Sequence, residues 1–197
     1  MKDPKRRITP EDITAELVEK AAAGMPGPAG VLADFIYGWV EAVLKGSPDV
    51  DDATQEAFLA VLNAVRNGNF ERASGKPSNW VVKIAVRKAI DFHRYNRRHL
   101  TRFDSGKSVD EMPPSSRRDI SSIIDAEDAI NTLNEEERAL LLLRYYEGFS
   151  IEEISETLSI PDGTVKSRTF RAYTKLRSLV RPQELPAHIL NVSRGKA

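Results

Sequence analysis

The sequence predicts an all-α protein of two small helical domains joined by a flexible linker, the second domain containing a helix-turn-helix. Three observations lead there. Apolar residues recur at intervals of three and four in almost every segment, whereas the alternation of a half-buried strand is scarce. Residues 101–121, TRFDSGKSVDEMPPSSRRDIS, are polar, carry two prolines and offer little to bury. Residues 150–179 read as two helices joined by a tight turn. The organisation expected is an N-terminal extension (1–30), a first domain (31–100), a linker (101–121), a second domain (122–181) and a C-terminal tail (182–197).

After a charged tail, Thr9 is placed to cap a helix with Pro10 at its first position, and Ile13, Leu17 and Ala21 share a face. GMPGPAG ends that helix, whose plainest role is to pack on the neighbouring domain. Residues 31–45 form an amphipathic helix with Leu32, Phe35, Ile36, Trp39, Val43 and Leu44 on its apolar side. Gly46-Ser47-Pro48 breaks it. Residues 50–66 form the next helix, which buries Thr54, Ala57, Phe58, Val61, Leu62 and Val65. Residues 67–77 are a loop, after which Ser78 caps a long helix reaching about Arg98. The first half of that helix is apolar nearly all round, as a segment buried on two sides should be.

Ile123, Ile124 and Ile130 supply the first apolar positions of the second domain. Asn134 caps the following helix and sets Glu135, Glu136 and Glu137 in its positive first turn. Leu140, Leu141 and Leu143 are its core residues, and Gly148 is its C-cap. Ser150 and Glu153 have the spacing of a capping box, and Ile151, Ile154 and Leu158 give the next helix one apolar side. Ser159-Ile160-Pro161-Asp162-Gly163 interrupts the pattern, with Pro161 suited to a first helical position. On the last helix Val165, Ala172, Leu176 and Leu179 form one wedge, while Thr164, Ser167, Arg168, Arg171, Lys175 and Ser178 gather opposite. The tail holds two prolines and a short apolar patch at residues 189–192, which packs locally or hangs free.

The chain has 197 residues and a formal net charge of zero, so any nucleic-acid binding must rest on local basic patches. It lacks cysteine, and His93, His99 and His188 are too scattered for a metal site, so neither metal nor cofactor is expected. No apolar run reaches membrane-spanning length and residues 1–7 lead into no signal-peptide core, which predicts a cytoplasmic chain without membrane insertion. No nucleophile–base, metal or paired-carboxylate constellation is visible, so an enzyme is not expected.

Three patterns carry functional information. A short helix followed by one with an apolar back and an Arg/Lys/Ser/Thr front is the layout of a DNA-reading helix-turn-helix; on pattern alone a solvated basic face reads equally well. Lys83, Arg87, Arg94 and Arg98 fall on one strip of the long helix with Trp80 at its head and His93, Tyr95, Arg97 and Arg102 nearby, which suits a nucleic-acid backbone and unpaired bases. Trp80 itself reads more simply as core. Asp52, Gln55, Glu56 and Leu59 project from residues 50–66 as a leucine ringed by polar and acidic groups, either a docking face or a solvated one.

Residues 133–177, above all EEERALLLLRYYEGFSIEEISETLSIPDGTVKSRTFRAYTKLR, resemble the fourth domain of bacterial sigma factors of the extracytoplasmic-function (ECF) type. DVDDATQEAFLAVLNAV followed by NWVVKIAVRKAIDFHRYNRR is similar to the second domain of the same family. Asp49, Asp51, Asp52, Gln55, Glu56 and Phe58 match its first helix, and Trp80, Ile84, Ala85, Asp91, Arg94, Arg97 and Arg98 match its last. Two departures are Arg87, where the family usually has Asn, and Tyr95-Asn96, which interrupts the basic run; they bear on which promoter element is preferred.

The resemblance implies an alternative sigma factor whose partners are core RNA polymerase and promoter DNA, with an anti-sigma factor as a common further partner of the family. It implies polymerase-clamp docking through Asp49, Asp51, Asp52, Gln55, Glu56 and Leu59. The loop at residues 67–79 and the basic helix, with Asn79, Trp80, Lys83, Arg87, Arg94, Arg97 and Arg98, would open and hold the −10 element. Thr164, Lys166, Ser167, Arg168, Arg171 and Lys175 would read the −35 element in the major groove. Two other classes compatible with the same basic strips are a DNA-binding regulator acting without polymerase and a helical adaptor that binds protein only.

Overall fold

The computed structural model of the chain describes residues 8–70, 75–103 and 126–180, the side chains of residues 100–103 and 126–127 excepted. All regular elements among the described residues are helical. The chain divides into two compact units, Met1–His93 and Arg94–Ala197.

The first unit begins with a 3-10 turn, Pro10–Asp12, closed by Thr9, whose backbone N–H and hydroxyl both donate to the Asp12 carboxylate at 2.9 Å. A separate helix, α1 (Ala15–Ala22), follows with Thr14 as its cap, accepting from Leu17 N at 3.2 Å. Two elements therefore stand where the periodicity predicted one, because Ile13 (φ −90°, ψ 82°) and Thr14 (φ −89°, ψ 162°) leave helical geometry between them. The buried side is Ile13, Val18, Ala21 and Ala22, with Leu17 only half-buried. α1 packs on α2 (Pro26–Leu44) and α3 (Val50–Arg66), in keeping with the packing role expected of it.

α2 starts five residues earlier than predicted. Pro26-Gly27-Pro28-Ala29-Gly30, read as a breaker, forms its opening turn, where backbone N–H groups lack helical partners and proline costs nothing. Leu32, Phe35, Ile36, Trp39, Val40, Val43 and Leu44 are buried on it. α3 buries Val50, Ala53, Ala57, Val61 and Leu62, while Thr54, Phe58 and Val65 flank that stripe half-buried. Its last residue, Arg66, donates from Nε and Nη2 to the Ala22 carbonyl at 3.4 and 3.3 Å, satisfying an otherwise unpaired end of α1.

α4 (Pro77–Phe103) is longer than predicted at both ends, and the first three residues assigned to the linker belong to it. The Lys76 carbonyl accepts from Trp80 N, so Ser78 lies inside the helix, buried, and is not its cap. Val81, Val82, Ala85, Val86, Ala89 and Ile90 are all buried, but they form one broad stripe rather than the two buried sides predicted, with Lys83 and Ile84 half-buried and Arg87 exposed away from it. The rest of the linker, residues 104–121, lies outside the described residues, as do Ile123, Ile124 and the tail from residue 181.

In the second unit α5 (Ala126–Asn131) buries Ala129 and exposes Ile130, one of the apolar positions expected of this domain. α6 (Glu135–Leu141) opens on a capping box in which Asn134 Oδ1 accepts from Glu137 N at 2.8 Å and Glu137 Oε2 from Asn134 N at 3.1 Å. It continues as a π-helical turn, Leu142–Tyr146, and Gly148, at φ +74°, turns the chain so that Phe149 is buried. α7 (Ile151–Leu158) has the predicted Ser150/Glu153 box, and both of its hydrogen bonds are present. α8 (Asp162–Leu179) starts one residue later than predicted, with Pro161 as the cap position. Ala129, Leu133, Leu141, Ala172, Tyr173, Leu176 and Val180 form one core that binds α5, α6 and α8 together. Burial raises the Tyr145 phenol above its ordinary value there, and the neighbouring Arg144 charge offsets this only in part.

Candidate nucleic-acid and polymerase interfaces

The turn between α7 and α8 sets the presentation of α8. Ser159 closes α7 in the left-handed conformation, at φ 53°, and Ser155 Oγ donates to the Ile160 carbonyl at 2.7 Å. α8 is held from behind by Val165, Thr169, Ala172, Tyr173 and Leu176. On the side away from that stripe, and spaced three or four apart among themselves, Lys166, Ser167, Phe170, Arg171, Thr174 and Ser178 are exposed. Ser167 Oγ donates to Thr164 O at 3.2 Å and Thr174 Oγ1 to Phe170 O at 2.8 Å, so these hydroxyls lie along the helix.

Two cations predicted for this face sit at its edge. Arg168 Nη1 donates to Glu136 Oε2 on α6. Lys175 Nζ donates to the Thr132 carbonyl at 2.6 Å and lies 3.6 Å from the Glu137 carboxylate. At 100° per residue both fall between the buried stripe and the open face, on the side where α6 packs. Thr164, the remaining member of the predicted set, is half-buried. Phe170, which the apolar stripe of the sequence does not include, is 69% exposed amid Lys166, Ser167, Arg171 and Thr174. The signal available was an aromatic off the apolar stripe.

On α4, Asn79 and Lys83 are half-buried. Trp80 is half-buried and meets Phe70 edge to face, ring centroids 4.9 Å apart and planes at 61°. Phe70 thus belongs with the predicted loop, a residue that helical periodicity could not reveal. Arg87 is exposed and lies 3.7 Å from Asp91, one turn on. Arg97 and Arg98 are exposed, and Tyr95 tilts against His99 with centroids 4.1 Å apart. Arg94 is the first residue of the second unit, and Glu136 Oε1 accepts from its Nε and Nη2 at 2.9 and 2.8 Å.

The acidic face of α3 has the predicted arrangement. Asp51, Asp52, Gln55 and Glu56 are exposed around Leu59, half of whose surface meets solvent. Asp49, at the cap position, is half-buried and makes no side-chain capping hydrogen bond. No described helix is long and apolar enough to cross a membrane.

Known proteins resemble this chain over both units. The family model "Sigma-70 region 2" matches residues 31–99, and "Sigma-70, region 4" matches residues 123–176. The ECF RNA polymerase sigma factor SigK of Mycobacterium sp. (strain KMS) is 29% identical over 138 residues, which span 68% of this chain and 70% of the relative. ECF RNA polymerase sigma factor SigM of Mycobacterium tuberculosis (strain ATCC 35801 / TMC 107 / Erdman) is 31% identical over 137 residues, 69% of this chain and 66% of the relative. Among solved structures, the sigma factor RpoE from Bartonella quintana, crystallised with the anti-sigma factor NepR, aligns with a TM-score of 0.54. That alignment covers 79% of this chain and 96% of the other at 20% identity, a likeness of fold.

Proposed function

The chain belongs to the sigma-70 family as a sigma factor of the extracytoplasmic-function type, and from that premise we propose that it directs promoter-specific initiation by reading a −35 element with α8 and a −10 element with residues 67–79 and α4. As a sigma factor its partners are core RNA polymerase and promoter DNA. α3 docks on the clamp of the polymerase's largest subunit through Asp49, Asp51, Asp52, Gln55, Glu56 and Leu59. An anti-sigma factor is a further partner, by analogy with the fold relative crystallised with NepR.

The observation that carries the reading is the exposed face of α8. An α-helix fits the major groove, where phosphate contacts fix register and base-edge contacts carry sequence information. Lys166, exposed near the start of α8, suits a phosphate. Arg171 has the fork that pairs with guanine O6 and N7, and Phe170 offers an apolar surface to a thymine methyl. Along α4 and the loop before it, Trp80 and Phe70 supply an aromatic surface and Lys83, Arg87, Arg97 and Arg98 the cations that accompany a separated strand. Unstacking costs a few kcal/mol, which capture of an unpaired base in a protein pocket offsets. None of these steps needs covalent chemistry.

The test is run-off transcription with core polymerase on genomic fragments. A discrete set of transcripts sharing upstream elements is expected, and their absence would overturn the reading. On a promoter so identified, Arg171→Ala is expected to cost about 1–3 kcal/mol and to relax choice at one −35 position. Phe170→Ala should relax choice at a thymine-bearing position without changing the salt slope.

A further inference from the structure

Resting on the reading of α8 as the −35 helix, we propose that Glu136 is an internal stand-in for DNA phosphate, holding Arg168 on α6 until a duplex displaces it. Arg168 lies at the edge of the exposed face of α8, and a helix seated in the major groove has the phosphate backbones at its edges. A guanidinium fork pairs with carboxylate and phosphate oxygens alike, so one ligand can replace the other without repacking. The pair is open to water: the Arg168 side chain is 41% exposed and that of Glu136 33%. Breaking it therefore leaves the core between α6 and α8 untouched.

Glu136 suits this task better than its neighbour. Glu137 is committed to the α6 capping box through the Asn134 N–H, and its 3.6 Å approach to Lys175 is secondary. Glu136 uses its other oxygen for Arg94, so the carboxylate keeps a cationic partner when Arg168 departs. Lys175 also donates to the Thr132 carbonyl, a contact that ties α8 to the turn between α5 and α6 and that a phosphate would have to replace. The consequence is graded: DNA binding is weakened by the strength of one partly exposed ion pair, and sequences that cannot draw Arg168 away are disfavoured.

The experiment uses the full chain and a fluorescent mixed-sequence DNA duplex, titrated by anisotropy over a series of salt concentrations. Glu136→Gln keeps the side-chain shape and removes the competing charge. It is expected to bind the duplex about two- to fivefold more tightly, the range of one partly exposed pair, with a salt slope steeper by at most about one unit. In the Arg168→Ala background the same substitution should give no such gain. Equal or weaker binding by Glu136→Gln overturns the inference, and a fall in melting temperature with weaker binding marks Glu136 as a packing tether. An undiminished gain without Arg168 overturns it too, because the effect would then be the loss of any negative charge near DNA. Should the unsubstituted chain show no salt-sensitive binding, the reading of α8 itself fails.

Discussion

Ser159 and Gly148 both hold left-handed backbone, at φ 53° and +74°, and they stand at the ends of the segment that presents α8. A side chain in that conformation brings its Cβ against the following carbonyl, at about 1–2 kcal/mol. Ser159 bears this cost because it is the residue where α7 ends and the chain reverses into α8. Ser159→Gly is expected to raise the stability of the second unit by roughly 1 kcal/mol, read as a higher urea midpoint at unchanged slope. Gly148→Ala should do the opposite by about 1–2 kcal/mol. An added Cβ at Gly148 meets nothing within 4 Å, so the loss would come from the backbone alone. If Gly148→Ala leaves the midpoint unchanged, the left-handed turn is not what positions Phe149.

Two helices of the second unit are short: α6 has seven residues and α7 eight, lengths at which a helix in isolation is marginal. Reciprocal caps and burial hold them. The Ser150 hydroxyl accepts from Glu153 N at 3.1 Å, while the Glu153 carboxylate accepts from Ser150 N at 3.0 Å. On the far side Ile154 and Leu158 are buried and Thr157 is turned inward, its hydroxyl donating to the Glu153 carbonyl. Ser150→Ala removes the cap acceptor and should cost about 1 kcal/mol, checked by equilibrium unfolding of the full chain. Because α7 supports α8 without lying on its exposed face, duplex affinity under native conditions should change far less than for Arg171→Ala.

At the scale of the molecule, a net charge of zero conceals separated faces. Exposed acids on α3 surround Leu59, whereas α4 carries Lys83, Arg87, Arg97 and Arg98. Carboxylates repel a phosphate backbone, so the acidic face calls for a protein partner and the basic one for nucleic acid. Reversing Asp52 and Glu56 to lysine should set like charges across the proposed clamp interface, at a cost of several kcal/mol, and abolish core-polymerase pull-down. Both positions are exposed, so the helix itself should survive. Replacing Lys83 and Arg87 by alanine should leave pull-down nearly intact and lower permanganate reactivity of the −10 region. Pull-down unchanged by the acidic reversals, or abolished by the basic set, would refute the division of labour.

Helical periodicity, capping chemistry and turn residues act over three or four positions, and the sequence by itself determined what depends on them. The limits of α3, the cap at Asn134, the capping box at Ser150, and the buried stripes of α2 and α8 were legible for that reason. So was the exposure of Asp52, Gln55, Glu56 and Leu59. GMPGPAG does end α1, but α2 begins within it at Pro26 rather than at Val31, because proline forbids a helix interior but not a first turn. Ile130, expected among the apolar positions of the second domain, is exposed and Ala129 is buried, because a six-residue helix has too little periodicity to fix its phase. Tertiary structure alone decided which cations of α8 face outward. Arg168 meets a carboxylate 32 positions away and Lys175 a carbonyl 43 positions away, so their fate hangs on how α6 packs against α8. Sequence spacing places a side chain on its own helix, but it takes the neighbouring helix to say whether that side chain is spoken for.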